Sequence, residues 1–501
     1  MKSLAPGKFG MALLNVMGGL IANAATVPAQ APAATTKAAT KSAAIQSPTG
    51  GTKTAAPGPG TTHPLAKPAA KGASGAAGRH EKWTWMDGAS VPGQRGIYGT
   101  LSKAAPGNVP GARGWAVSWT DAAGNFWLFG GHGYDSTGKI GYLNDLWKYS
   151  KGEWTWMGGS KVNGQGGIYG TQATAAAGNA PGARDAPVGW TDAAGNFWLF
   201  GGEGFGNDAI NAGYLNDLWK YSGGEWTWES GPNVIDDFGT YGTQGTAAAA
   251  NVPRGRTEAA SWTDAAGNLW MFGGDSLYWG GDSGDLWKYG AGEWTWMGAD
   301  SVTGTYGGEG SAAAGNIPGA RDSAASWTDA EGNFWMFGGF GFDSTGTNGD
   351  LNDLWKYSAG EWTWMGGSNV IGAKGTYGAK GAAAAGNIPG ARTDSVRWTD
   401  AAGNVWLFGG YAYDSAGKEN NLNDLWKYSA GEWTWIGGPK LIGAKGVFGT
   451  KGTAAAGNIP GPRWDAAGWI DANGNMWFFG GFVQNAAGVR EYLNDLWKYV
   501  P

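Results

Sequence analysis

Six arginines recur along the sequence at near-even intervals: Arg113, Arg184, Arg256, Arg321, Arg392 and Arg463. An acidic residue follows five of them within two positions, as Asp185, Glu258, Asp322, Asp394 and Asp465. A guanidinium fork matches a carboxylate through two parallel hydrogen bonds. A carboxylate held beside such a cation can also do acid–base work. Side chains two apart on one strand share a face, which places Arg256/Glu258, Arg392/Asp394 and Arg463/Asp465 to pair. Two readings follow. Either these groups brace neighbouring elements, or the arginines ring one mouth of the fold and anchor an anionic peptide or sugar. Tyr134, Trp279 and Tyr413, with Phe205, Tyr278, Phe342 and Phe482, lie in variable segments. They are either aromatic contacts for the same ligand or caps over the core.

Other chemistries lack their residues. Without cysteine there is no disulfide, thiolate metal site or cysteine nucleophile. Three histidines, His63, His80 and His132, cannot build a metal triad or a Ser-His-Asp set. Gly133–Lys139 fits the GxxxxGK pattern, but Ile140 follows where Ser or Thr belongs, and no helix is expected there. The D-S-T-G stretches at Asp135 and Asp343 lack the further acidic ligands of a calcium loop and read as turns. No metal and no cofactor is expected. Net charge is −5, unevenly spread. Residues 1–80 hold eight Lys or Arg and no acid; the rest holds 27 of the 35 basic residues against all 40 acidic ones, a balance of −13. Such a body is a poor partner for nucleic acid, where affinity rests on neutralising phosphates.

The elements that position these residues are repeated. N-D-L-W-K-Y stands at Asn144–Tyr149, Asn216–Tyr221, Asn352–Tyr357, Asn423–Tyr428 and Asn494–Tyr499, and Gly284–Tyr289 differs only in its first residue. A period near seventy residues signals a repeat architecture. Each unit carries four strand-like segments, in the first unit Trp115–Thr120, Asn125–Phe129, Asp145–Tyr149 and Glu153–Met157. Continuous apolar runs such as N-F-W-L-F predict strands buried on both faces. Glycine-bearing turns join the segments. Six W-T-W segments match six hexapeptides only if Lys82–Met86 pairs with the strand of the last hexapeptide. The fold expected is all-β: a six-bladed propeller of four antiparallel strands per blade, with the N-terminal strand closing the last blade.

A Gly-Gly pair ends each second strand, as in Gly130-Gly131, a Tyr ends each third, as in Tyr149, and a Trp stands in each fourth, as in Trp154. On these residues the chain resembles the kelch-repeat propellers across residues 80–501. Its repeats are longer than the usual kelch unit, mainly between blades, and its third-to-fourth turn is shorter. The resemblance implies ligand binding on the long-loop face, and in some relatives arginines there hold acidic peptides. Sialate mutarotases of kelch type make a sugar-acting enzyme an alternative. The copper radical oxidases of this fold class need histidines and a Cys-linked tyrosine, which this chain lacks.

Lys2 and Lys8, an apolar run to about Ala22 and Ala22-Asn23-Ala24 read as a signal peptide over 1–24. Residues 25–79, rich in Ala, Pro, Thr, Gly and Lys, read as a disordered tether. The expectation is a secreted or periplasmic monomer with no integral span in the mature chain. It acts as a non-catalytic binder of protein or glycan, with an envelope structural role as a further alternative.

Overall fold

Asp121 shows how each repeat begins to fold. Its Oδ1 accepts the backbone N–H groups of Ala123 and Asn125 at 3.0 and 2.9 Å, and its Oδ2 accepts Trp127 Nε1 at 2.8 Å. The carboxylate thus closes the D-A-A-G turn and fixes the first indole of the second strand. Gly124 supplies the left-handed backbone there, with φ of 77°. The same carboxylate–indole bond recurs at Asp192/Trp198, Asp264/Trp270, Asp329/Trp335, Asp400/Trp406 and Asp471/Trp477. At the other turn, Lys151 and Gly152 both take positive φ, which matches the twist of a tight hairpin.

The computed structural model describes residues 82–276, 281–485 and 487–501. The expected signal peptide and tether, with Tyr278 and Trp279, lie outside the described residues. Within them the chain is all-β. In the first repeat, strands Val117–Thr120, Phe126–Phe129, Leu146–Ser150 and Glu153–Gly158 form one antiparallel sheet in chain order. Six sheets are built on this pattern among the described residues. All four residues of Phe126–Phe129 are buried, as the unbroken apolar run predicts. In the sixth sheet, Lys82–Asp87 lies antiparallel to Leu496–Val500, with Trp83 opposite Tyr499. No helix among the described residues is long and apolar enough to cross a membrane.

The sheets pack through tryptophan and phenylalanine. Trp147 is wholly buried in a cluster that also holds Trp469 and Phe479 of the last repeat. The first strands also meet through hydrogen bonds. Ser118 Oγ donates to Gly468 O at 3.2 Å and Ser261 Oγ to Gly189 O at 3.2 Å.

Two features differ from the sequence reading. The first strand starts at Val117 instead of Trp115, because Trp115 takes a left-handed φ of 56°. The long segments after Gly-Gly are mostly hairpin arms instead of open loops. His132–Tyr134 pairs with Ile140–Tyr142, and Phe334–Phe342 runs through its glycines to pair with Asn348–Ser358. A two-residue strand such as Arg113–Gly114 adds to each of several arms. The link between sheets is bonded to the arm tip: Ser136 N–H donates to Lys161 O at 2.9 Å and Asn163 N–H to Asp135 Oδ2 at 3.3 Å.

Candidate ligand cavity

The six arginines are not open to a ligand. Each is at most 2% exposed. Arg113 directs Nη1 and Nη2 to Oδ1 and Oδ2 of Asp145 at 2.6 and 2.7 Å, Nη1 also to Gly130 O at 2.9 Å, and Nε to Gly111 O at 3.0 Å. The other five bind Asp217, Asp285, Asp353, Asp424 and Asp495 in the same way. The partner is therefore the aspartate of the hexapeptide, not the carboxylate two residues on. Burial works against the charge of Arg113, and the Asp145 carboxylate outweighs it, holding the guanidinium above its ordinary pKa. The expectation that Arg113, Arg184, Arg256, Arg321, Arg392 and Arg463 ring an open mouth is thus corrected. Their forks are filled within the protein, and they tie the link, the Gly-Gly corner and the third strand together. Removing one partner of such a buried pair strands the other charge, at a cost of about 3–5 kcal/mol.

The residue two positions after each arginine behaves differently. Trp115, Ala186, Glu258, Ser323, Asp394 and Asp465 all take φ between 47° and 56°. Left-handed backbone is costly for residues with a Cβ. It is shared here by six equivalent positions joined in a belt. Ala186 N–H donates to Trp115 O at 2.8 Å, Glu258 to Ala186 at 3.1 Å, Ser323 to Glu258 at 3.0 Å, Asp394 to Ser323 at 3.1 Å and Asp465 to Asp394 at 3.0 Å. The belt rims a cavity of about 480 Å³ lined by the start of every first strand. Glu258, Asp394 and Asp465 each place a carboxylate oxygen within 4.8 Å of the others. Ser323 Oγ donates to Glu258 Oε2 at 2.9 Å. Three carboxylates thus share one arc of the belt, while Trp115 and Ala186 hold the other.

Deeper in the cavity the equivalent positions read Ser118, Gly189, Ser261, Ser326, Arg397 and Gly468. Arg397 is the one charged group among them. Its Nε donates to Ser326 O. The side chain is exposed to the cavity, and desolvation by the cavity walls lowers its pKa from the ordinary value.

Above the belt the asymmetry continues. Asp185, Glu203, Asp275, Asp282 and Asp322 lie on the second to fourth repeats, where Tyr142 OH donates to Glu203 Oε1 at 2.6 Å and Tyr214 OH to Asp275 Oδ2 at 2.9 Å. Asp275, Asp282 and Asp322 gather oxygens within 4.8 Å. Asp350 is buried at 5% exposed; burial first, and the neighbouring Glu419 carboxylate second, push its pKa well up. Across from this acidic side stand rings packed edge to face: Trp115 against Phe482 at 4.2 Å and Phe482 against Tyr492 at 4.6 Å. Arg490 lies 5.5 Å over Trp115.

Of the residues singled out from sequence, Glu258, Asp394 and Asp465 are brought together. Tyr134 and Tyr413 are half-buried and lie against the link, where a Cβ on Gly93 or Gly372 would meet their rings at about 3.4–3.5 Å. Neither is among the residues that line the cavity. Trp279 falls outside the described residues. Arg397, Ser323 and Trp115 were missed. The signal for Arg397 was a single charge at a position that otherwise reads Ser or Gly.

No family model matches the sequence, and no curated protein matches it. Among solved structures, YjhT is similar at 12% identity, with 77% of this chain and 95% of that one covered and a TM-score of 0.44. A fungal alcohol oxidase of the AA5 family, in complex with copper, is similar at 12% identity, with 77% and 62% covered and a TM-score of 0.39. At that overlap nothing of either protein's function passes to this chain.

Proposed function

We propose that the six sheets are the blades of a closed, kelch-type propeller, and that the chain is an exported, monomeric, non-catalytic module binding a protein or glycan on its hairpin face. Closure is supported by the bond from Gly481 N–H of the last repeat to Arg113 O of the first, at 2.8 Å, beside the Lys82–Asp87 pairing. One observation carries the binding reading. Six equivalent belt positions keep one backbone, while their side chains split into the Glu258/Asp394/Asp465 arc and the Trp115 side. Packing alone gives no reason to break that symmetry, whereas a ligand that is itself asymmetric does. An acidic arc facing aromatic rings suits hydroxyl-bearing or positively charged groups and repels anions. The anionic ligand first expected is therefore replaced by a neutral sugar or a basic protein segment.

A second reading is an enzyme acting on sugars. The clustered carboxylates favour it, since neighbouring acids in a partly enclosed site can divide acid and base roles. A glycan array with the full chain, followed by product analysis on the sugars retained, separates the two. Retention without turnover, abolished in Glu258→Gln, supports recognition. Turnover lost in that variant establishes the enzyme. An unaltered profile in Glu258→Gln removes the cavity from both.

A further inference from the structure

The links that lead into the repeats carry charge unevenly. Residues 367–391, 438–462, 88–112 and 159–183, leading into the fifth, sixth, first and second repeats, hold eight Lys or Arg and no acid. Residues 231–255 and 299–320, leading into the third and fourth, hold Asp236, Asp237, Asp300 and Glu309 against Arg254 alone. The four basic links form one continuous surface. Lys440 Nζ donates to Gly378 O at 3.0 Å, Lys451 Nζ to Gly88 O at 2.9 Å and Lys161 Nζ to Gly99 O at 3.3 Å, each crossing from one link to the next. Those three lysines are staples. The other five cations, Arg95, Lys103, Lys374, Lys380 and Lys445, are exposed. Among the described residues no acid pairs with them.

Aliphatic side chains stand among these cations. Arg95 and Ile97 face outward while Gly96 and Tyr98 between and beyond them are buried, the alternation of an extended strand. Lys445 and Val447 repeat the arrangement, and Ile97 and Val447 are 52% and 50% exposed. Val162 follows Lys161, Leu441 follows Lys440, and Leu101 stands two positions before Lys103, all three exposed. The acidic links have Thr240 and Thr305 where Ile97 and Val447 stand. A soluble polyanion would use the cations and leave the aliphatic groups in water. The acidic links of a second copy would do the same. A bilayer with anionic headgroups takes both, since lysine and arginine meet the headgroups while aliphatic side chains enter the boundary beneath them. We infer that the four basic links dock the chain on an anionic phospholipid bilayer. This surface uses neither Glu258 nor the cavity, and so does not rest on the binding reading above.

Co-sedimentation of the full chain with vesicles tests it, using phosphatidylcholine alone or mixed in equal parts with phosphatidylglycerol. The mixed vesicles are expected to bind at least roughly tenfold more tightly. A cation near such a surface is worth roughly fivefold, so Arg95→Gln/Lys374→Gln/Lys445→Gln should weaken binding on the order of a hundredfold. Residues 1–80 keep their eight Lys and Arg in that variant, so binding equal to the parent's assigns the vesicles to that segment and overturns the proposal. Ile97→Thr/Val447→Thr should weaken vesicle binding roughly tenfold and leave elution from immobilised heparin unchanged. Threonine is native at Thr240 and Thr305, so this variant should melt with the parent. Vesicle binding untouched by the threonines makes the surface one for soluble polyanions and overturns the proposal. Sedimentation without vesicles makes the occupant a second copy, and no binding to mixed vesicles removes the surface altogether. Each failure can occur while Glu258→Gln still abolishes glycan retention, so the two readings fail separately.

Discussion

Tyr98 donates its hydroxyl to Oδ2 of Asp145 at 2.6 Å, joining the arginine fork and Trp147 Nε1 on one carboxylate. Tyr169, Tyr241, Tyr306 and Tyr377 do the same in the next four repeats. The sixth repeat has Phe448, whose ring sits 5.1 Å from Trp497 much as Tyr98 sits 4.8 Å from Trp147. A hydrogen bond to a charged acceptor contributes about 1.5–3 kcal/mol. Tyr98→Phe should lower unfolding free energy by that amount, and Phe448→Tyr should raise it by about 1 kcal/mol or more. Chemical denaturation of both variants decides this. A Phe448→Tyr protein no more stable than its parent would mean that the sixth aspartate has no room for the hydroxyl.

The arginine pairs predict a pattern across three variants. Arg184→Met and Asp217→Leu should each destabilise the chain by about 3–5 kcal/mol, because each leaves a buried charge alone. The double variant should recover much of the loss, since it buries no charge. Thermal melts of the three, read as a cycle, give the coupling. Additive losses would show that the pair itself is not what the repeat depends on.

Sequence reached the framework because the framework is local and repeated. The D-A-A-G turns, the buried F-W-L-F runs and the pairing of Lys82–Asp87 with the last hexapeptide strand follow from turn chemistry, apolar runs and counting. The arginines were visible as a series, but their partners were not. Asp145 lies 32 positions from Arg113 in the chain, and the strand alternation that pointed to i+2 pairing fails where the chain turns left-handed at Trp115. That turn is also why Glu258, Asp394 and Asp465 meet in a cavity instead of facing their arginines. Arg397 escaped because one substituted position in six looks like drift until the first strands are placed around a common space.

Asp350 predicts a pH effect. Burial and Glu419 hold its carboxyl protonated well above the ordinary range, so the folded state binds this proton more tightly than the unfolded chain. Stability from this group is therefore full below the ordinary carboxylate pKa, and is lost as pH rises toward the raised folded value. Asparagine is native at the equivalent position, Asn421. Asp350→Asn should melt above the parent at pH 8 and draw level with it near pH 4. A difference that is the same at both ends would mean that Asp350 does not carry the proton.

The left-handed belt can be tested by relieving it. Ala186 and Glu258 hold φ of 47° and 55°, where glycine is free of the roughly 1–2 kcal/mol that a Cβ costs. Ala186 makes no side-chain hydrogen bond, so Ala186→Gly should raise the unfolding free energy by about 1 kcal/mol. Glu258→Gly gains the same backbone relief but loses the bond from Ser323, so its net change should be smaller. It also removes one of three carboxylates from the arc, and should cost at least tenfold in affinity for any ligand whose positive group sits there. Backbone strain kept at six equivalent positions makes sense if it aims side chains at something. Calorimetric melts of the two variants, with ligand titration of Glu258→Gly, distinguish the cases. A Glu258→Gly protein as stable as Ala186→Gly and undiminished in binding would show that the belt shapes the fold and nothing more.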